Sequence, residues 1–271
     1  MTNNLRIAIL GCGNMGQAFA KAFLQYNLVA RTDMLLLGRD EAHCQRLRVS
    51  QPGLPTAPVS EAVADYDVVL VAVKPQDFGR AADGLRRVLQ PRQVVVSIMA
   101  GIPIARLQRE LEHRQVLRAM PNTPALLGMG ITGFSASAEV ERTQLHQVEN
   151  LLNATGRSIF LEDESLLDAV TAVSGSGPAY FYYIVQAMMQ AGQELGFSES
   201  VAGLLVKQTM LGAFHLLNNS DQSIDQLIAN VASKGGTTEA ALRTFRAGHL
   251  ADTLIDGMKA AQQRATELAK E

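Results

Sequence analysis

Three stretches of the 271-residue chain hold residues whose types and spacing could do chemistry. The first is Gly11-Cys12-Gly13-Asn14-Met15-Gly16, a G-x-G-x-x-G between the apolar run at 5–10 and a helix-compatible segment at 17–26. Strand, glycine turn and helix form the context that makes this motif informative. Gly11 suits the tight turn, and Gly13 lacks a Cβ, so a pyrophosphate can approach its backbone. Gly16 lets helix and strand pack closely. Amides at the helix start would then face the phosphates, with the helix dipole favouring their charge. The second stretch is Gly38-Arg39-Asp40, which follows the strand pattern at 34–37. A carboxylate at this point marks NAD, whereas a planar guanidinium such as that of Arg39 pairs with the 2′-phosphate of NADP. Asp40 suits the N-cap of a helix running through Leu47. The third is Ser233-Lys234-Gly235-Gly236-Thr237-Thr238, just ahead of a helical pattern. Amides and hydroxyls gathered at a positive helix end suit a small carboxylate. The same residues also read as a plain loop, with Thr237 as N-cap and Glu239 complementing the dipole.

Such groups need a scaffold to position them. The runs at 67–73, 93–98 and 116–120 are nearly all apolar, as expected of parallel strands covered on both faces. Each ends in an edge of small or helix-starting residues. These edges are Ala72-Val73-Lys74-Pro75, Met99-Ala100-Gly101 and Pro121-Asn122-Thr123-Pro124. Strands alternating with helical patterns specify an α/β fold, a doubly wound parallel sheet with right-handed crossovers. The segments at 131–134 and 157–160 add edge strands around a helix over 139–154. Beyond about residue 162 the strand runs stop. Phe181, Ile184, Val185 and Met188 recur at helical spacing after Ser174-Gly175-Ser176-Gly177-Pro178, read as a helix start. Further helices are predicted over 200–217, 223–231, 237–246 and 250–268. The expectation is a dinucleotide-binding domain over 1–162 and an all-helical domain over 163–271. Apolar helices of this kind suit packing as a bundle or against a second copy.

Composition narrows the function classes. The net charge of −2 and the pI near 6.2 argue against a polyanionic partner, and no Lys/Arg run marks a nucleic-acid or membrane patch. Cys12 and Cys44 lack C-x-x-C spacing, which excludes a disulfide framework. His43, His113, His146, His215 and His249 show no ligand spacing, so no metal is expected. No apolar run of membrane-spanning length and no signal-peptide pattern is expected, which makes a cytoplasmic protein the default.

Together, GCGNMG at 11–16, VAVKPQ at 71–76, MPNTPALLGMG at 120–130, AVSGSGPAY at 172–180 and VASKGGTTEAAL at 231–242 resemble the Δ1-pyrroline-5-carboxylate reductases. The last piece is the family's own signature. The resemblance implies a Rossmann-type N-terminal domain and a helical C-terminal dimerisation domain that interlocks with a second subunit. It implies NADPH-dependent reduction of a cyclic imine to proline, with NADH as a possible substitute, by a homodimer or a larger assembly of dimers. Matched residue by residue, the cofactor positions are Gly11, Cys12, Gly13, Asn14, Met15, Gly16, Arg39, Ser60, Ala72, Val73, Lys74, Pro75, Met99, Ala100, Gly101 and Asn230. The substrate positions are Ser174, Gly175, Ser176, Gly177 and Pro178, together with Ser233, Lys234, Gly235, Gly236, Thr237 and Thr238. Thr238 is placed against the ring nitrogen, where its hydroxyl would orient the substrate and relay a proton. Lys234 stands where many members carry proline, and Ser60 where asparagine is frequent. A β-hydroxyacid dehydrogenase would need a lysine at the start of its second domain, and none occurs between Glu162 and Val206. A dinucleotide sensor without catalysis would have no need of the 231–242 loop.

Overall fold

The computed structural model describes residues 5–269. Eight strands form one sheet: β1 (Ile7–Leu10), β2 (Met34–Gly38), β3 (Thr56–Pro58), β4 (Val68–Val71), β5 (Val94–Ser97), β6 (Val116–Met120), β7 (Gly130–Ala136) and β8 (Gly156–Phe160). Their order is β3-β2-β1-β4-β5-β6-β7-β8, and every neighbouring pair is parallel except β6 with β7. That exception follows from chain length. Only residues 121–129 connect the two strands, with a single 3₁₀ turn at Thr123–Leu127, too little for a crossover helix.

Alternation along the central strands divides the core. Ile7 and Ile9 of β1 join Phe19 and Phe23 of α1 (Asn14–Gln25) on one face, together with Val148 and Leu152 of the helix Arg142–Asn153. Ala8 and Leu10 face the other way, onto Phe78 and Leu85 of Phe78–Leu85 and Leu107 of Ile104–Leu111. Both faces of β1 are therefore dry, which is why its sequence reads as one continuous apolar run. Each of these Ile, Leu, Val and Phe side chains contributes about 1.5–3 kcal/mol on full burial. The remaining helix of this region, α2, spans Glu41–Ser50; the three just named are α3 (Phe78–Leu85), α4 (Ile104–Leu111) and α5 (Arg142–Asn153). Asp40 is the N-cap of α2, its carboxylate accepting from the His43 amide at 2.6 Å.

Six helices follow: α6 (Leu166–Val170), α7 (Gly177–Glu194), α8 (Glu199–Asn218), α9 (Ile224–Val231), α10 (Thr237–Ala247) and α11 (Leu250–Leu268). The chain forms two compact units, one ending at Ser176 and resuming at Ala261, the other spanning Gly177–Ala260. The change of periodicity near residue 162 marks where strands end. The compact unit continues beyond it because α6 packs on β6 and β7.

Two readings need correction. Helix α7 does begin within the 174–178 segment, at Gly177, but the chain ahead of it is already helical rather than a loop. Between α6 and α7 the backbone widens into a π turn at Thr171–Gly175, with the Ser176 amide donating to the Thr171 carbonyl at 2.8 Å. The hydroxyls of Thr171 and Ser174 bond back to the carbonyls of Leu167 and Val170, so the segment stays helical. Helix α8 is also long and apolar enough to cross a membrane by length and composition, with a mean hydropathy of 1.3.

Within the second unit, α7 and α8 meet through small residues. A Cβ on Gly192 would lie 3.0 Å from the Ala202 Cβ, and one on Gly203 would lie 3.2 Å from Met189 Cε. Elsewhere the helices have little to bury, and α9 and α10 contain no buried residue.

Candidate active site

The glycine turn joins β1 to α1. Gly11 adopts φ +98°, and a Cβ there would sit 2.5–2.6 Å from the Ala72 and Val73 backbone. Only glycine permits this approach, which brings the 11–16 turn onto the 72–75 edge. Gly13 is the N-cap of α1, with no side chain to bond the first-turn amides, and a Cβ on it would meet nothing within 4 Å. Space and donors for a pyrophosphate therefore coincide, and the turn fits a dinucleotide. Cys12 offers only its backbone. Its thiol is buried and pushed up to about 12 by desolvation, with Cys44 adding to the shift, so it stays protonated at neutral pH.

Arg39 follows β2 with its side chain 64% exposed. Its Nε donates to Asp40 at 3.1 Å, and among the described residues its Nη groups make no hydrogen bond. The planar forked end is thus unengaged by the chain's own described residues. The His43 amide chiefly holds the Asp40 carboxyl below its ordinary range, with Arg39 contributing. Ser60 begins the 3₁₀ turn Glu61–Asp65 but makes no capping bond. Lys74 and Pro75 open another such turn at Pro75–Asp77. At the third edge the Met99 side chain is buried in the core, so that residue offers backbone alone. Gly101 has φ +72°, and a Cβ there would come 3.3 Å from the Leu268 Cβ of α11.

In the second unit the 233–238 loop is built differently from the expected cap. Gly236, not Thr237, is the N-cap of α10, because Thr237 already has helical backbone. A Cβ on Gly236 would come 2.5 Å from Ser233 Oγ, so the loop closes on itself. Its own atoms use two of the amides expected to hold a carboxylate. The Gly235 amide donates to Glu239 Oε2 at 2.6 Å, and the Gly236 amide donates to the Ser233 carbonyl at 2.9 Å. Among the described residues the first-turn amides without a partner are those of Thr237, Thr238 and Glu239, since the Ala240 amide already bonds the Gly236 carbonyl. The sequence offered Glu239 only as a first-turn acid for the dipole; with Gly236 as N-cap it is the third helical residue, from which its carboxylate reaches back to the Gly235 amide. Asn230 lies on exposed α9 and donates to Gln222 Oε1 at 2.9 Å.

Sequence reasoning gave no role to a charged cluster beneath the sheet edge. Arg118 of β6 is 4% exposed and pairs with Asp168 at 2.7 Å and Glu164 at 3.3 Å. Asp168 also accepts from Thr266 Oγ1 at 3.0 Å, and Glu164 from the Ile104 amide at 2.8 Å. An arginine inside an apolar strand was the available signal, since a buried charge requires partners. Among the described residues, no three His, Cys, Asp or Glu side chains gather as a metal-ligand set.

A mostly parallel sheet with an uncapped helix at its glycine turn defines the class, an NAD(P)-dependent oxidoreductase with a dinucleotide-binding sheet and a helical second region. Residues 6–101 match the family profile described as NADP oxidoreductase, coenzyme F420-dependent, and residues 164–268 match pyrroline-5-carboxylate reductase dimerisation. The chain belongs to the pyrroline-5-carboxylate reductase family. It is 41% identical to the pyrroline-5-carboxylate reductase of Pseudomonas aeruginosa, over 98% of this chain and 97% of the relative. The solved structure of a pyrroline-5-carboxylate reductase from Coxiella burnetii superposes with a TM-score of 0.88 at 31% identity, covering 99% of this chain and all of that one. That of Plasmodium falciparum pyrroline carboxylate reductase, with NADP bound, gives 0.87 at 26% identity with the same coverage.

Proposed function

We propose that this protein reduces 1-pyrroline-5-carboxylate to L-proline, the last step of proline biosynthesis, with NADPH as reductant and NADH as a weaker substitute. The observation that carries the reading is the loop at the head of α10. There the free amides of Thr237, Thr238 and Glu239 meet two threonine hydroxyls in a chain whose full length matches the family.

The α1 amides and the open backbone at Gly13 hold the pyrophosphate, and Arg39 takes the 2′-phosphate. Ser60, the 72–75 and 99–101 edges and Asn230 complete the proposed cofactor contacts. A bound nicotinamide supplies the hydride. The first-turn amides of α10 hold the substrate carboxylate, with the helix dipole assisting. Ser233, Lys234, Gly235 and Gly236 shape this cradle, while residues 174–178 form a second substrate-facing segment. The Thr238 hydroxyl orients the ring nitrogen and relays its proton. An already protonated iminium accepts hydride readily, so no strong acid is required. The dimerisation region pairs with a second copy, as a dimer or an assembly of dimers, in the cytoplasm and without nucleic acid or membrane.

The test is NADPH oxidation with pyrroline-5-carboxylate. Thr238→Val should lower kcat/KM about 10²-fold, the lower end of what acid–base help supplies. Thr237→Val, which removes a hydroxyl that does not cap α10, should leave kcat/KM near wild type. The reverse ranking would show that the wrong threonine has been assigned.

A further inference from the structure

We infer that Asn122 is a positioning residue that sets the π turn at Thr171–Gly175 and thereby the substrate-facing 174–178 segment. The inference rests on the proposed role of that segment. An α-helical partner for the Ser174 carbonyl would be the amide of residue 178, and Pro178 has none. Asn122 supplies a donor instead, its Nδ2 lying 3.2 Å from the Ser174 carbonyl.

The orientation of this amide is determined by its other bond. Asn122 Oδ1 accepts from the Ile131 amide at 3.0 Å. A backbone N–H can only donate, so the oxygen must face Ile131 and the NH₂ must face Ser174. Asn122 also begins the 3₁₀ turn Thr123–Leu127, where asparagine usually spends its side chain on capping. Here it makes no capping bond. Its Nδ2 instead reaches across 52 residues of sequence, and its Oδ1 across nine. A second contact accompanies this link: a Cβ on Gly175 would come within 2.6 Å of Met120 Cε, so the end of β6 abuts the turn. Isolated π turns inside helices recur at functional sites, where an extra residue re-aims neighbouring groups. The edge after β6 thus holds that distortion in place.

Asn122→Asp is the decisive variant. It keeps an acceptor for the Ile131 amide but sets a carboxylate oxygen against the Ser174 carbonyl. Expected is a rise of about tenfold in KM for pyrroline-5-carboxylate, as a lost hydrogen bond to the positioned segment predicts. The KM for NADPH should stay within about twofold, since uniform loosening would move both constants. Amide hydrogen exchange should quicken over residues 171–176 in Asn122→Asp and Asn122→Ala alike. Unchanged exchange there overturns the inference whatever the activity, as does a parallel rise in both KM values. Wild-type protein that fails to oxidise NADPH with this imine overturns the functional reading instead, and the exchange experiment still decides the Asn122 link.

Discussion

In the sheet unit, β1 sends Ile7 and Ile9 to one face and Ala8 and Leu10 to the other, none more than 4% exposed. In the helical unit, α9 and α10 bury nothing, and α8 leaves Leu204 and Leu211 at 68% and 52% exposure. The first unit covers its own apolar surface on both sides of a sheet. The second offers Phe181, Tyr182, Tyr183, Phe214 and Ile255 to its surroundings as well. Folding a chain costs on the order of 1–2 kcal/mol per residue in backbone entropy, which only burial on this scale offsets. Cohesion is intrinsic to the sheet unit, whereas the helical unit leaves much of its apolar surface uncovered, as the proposed pairing with a second copy requires.

The largest effect should come from denying the helices a partner. Leu204 and Leu211 are seven residues apart and so share one stripe of α8. Leu204→Glu with Leu211→Glu should give a monomer by sedimentation, with activity at background and a reduced helical signal. A fully active monomer would break the contrast between the units. Next in size is Asp168→Ala, which strips the better partner from buried Arg118. Removing one member of a buried pair costs about 3–5 kcal/mol. Because the lesion lies inside the self-sufficient unit, the loss in thermal stability should not depend on protein concentration. The smallest effect should follow Arg39→Ala, with KM for NADPH rising about ten- to hundredfold for one lost charge-assisted contact of about 1.5–3 kcal/mol. KM for NADH should stay unchanged, and so should the sedimentation profile. Equal loss with both cofactors would end the phosphate assignment.

Legibility in the sequence follows the same divide. The central strands β1, β4 and β5 could be read because burial on both faces writes an apolar run, and β6 reads the same way but for Arg118. Strand β3, with only Thr56–Pro58 and a proline at its end, carries no such pattern, and its pairing with β2 comes from tertiary context. The glycine turn was visible because Gly11 and Gly13 answer to local backbone geometry. The π turn was hidden, since its cause is the side chain of Asn122, 52 residues earlier. In the 233–238 loop, composition pointed to a helix start, but one-residue placement of the cap depends on Ser233 folding back under Gly236. Helix boundaries at that resolution are set by such contacts rather than by propensity.

The hydroxyl of Thr266 on Asp168 joins residues 98 positions apart, with the entire helical unit between them. A ribosome delivers the chain from its N-terminus, so the sheet and its buried arginine emerge long before that hydroxyl does. The nascent sheet unit waits in an unfinished form while its apolar helical neighbour is being made. The Thr266–Asp168 bond forms only after that neighbour has been made, which couples completion of the charged cluster in the sheet unit to synthesis of the helical one.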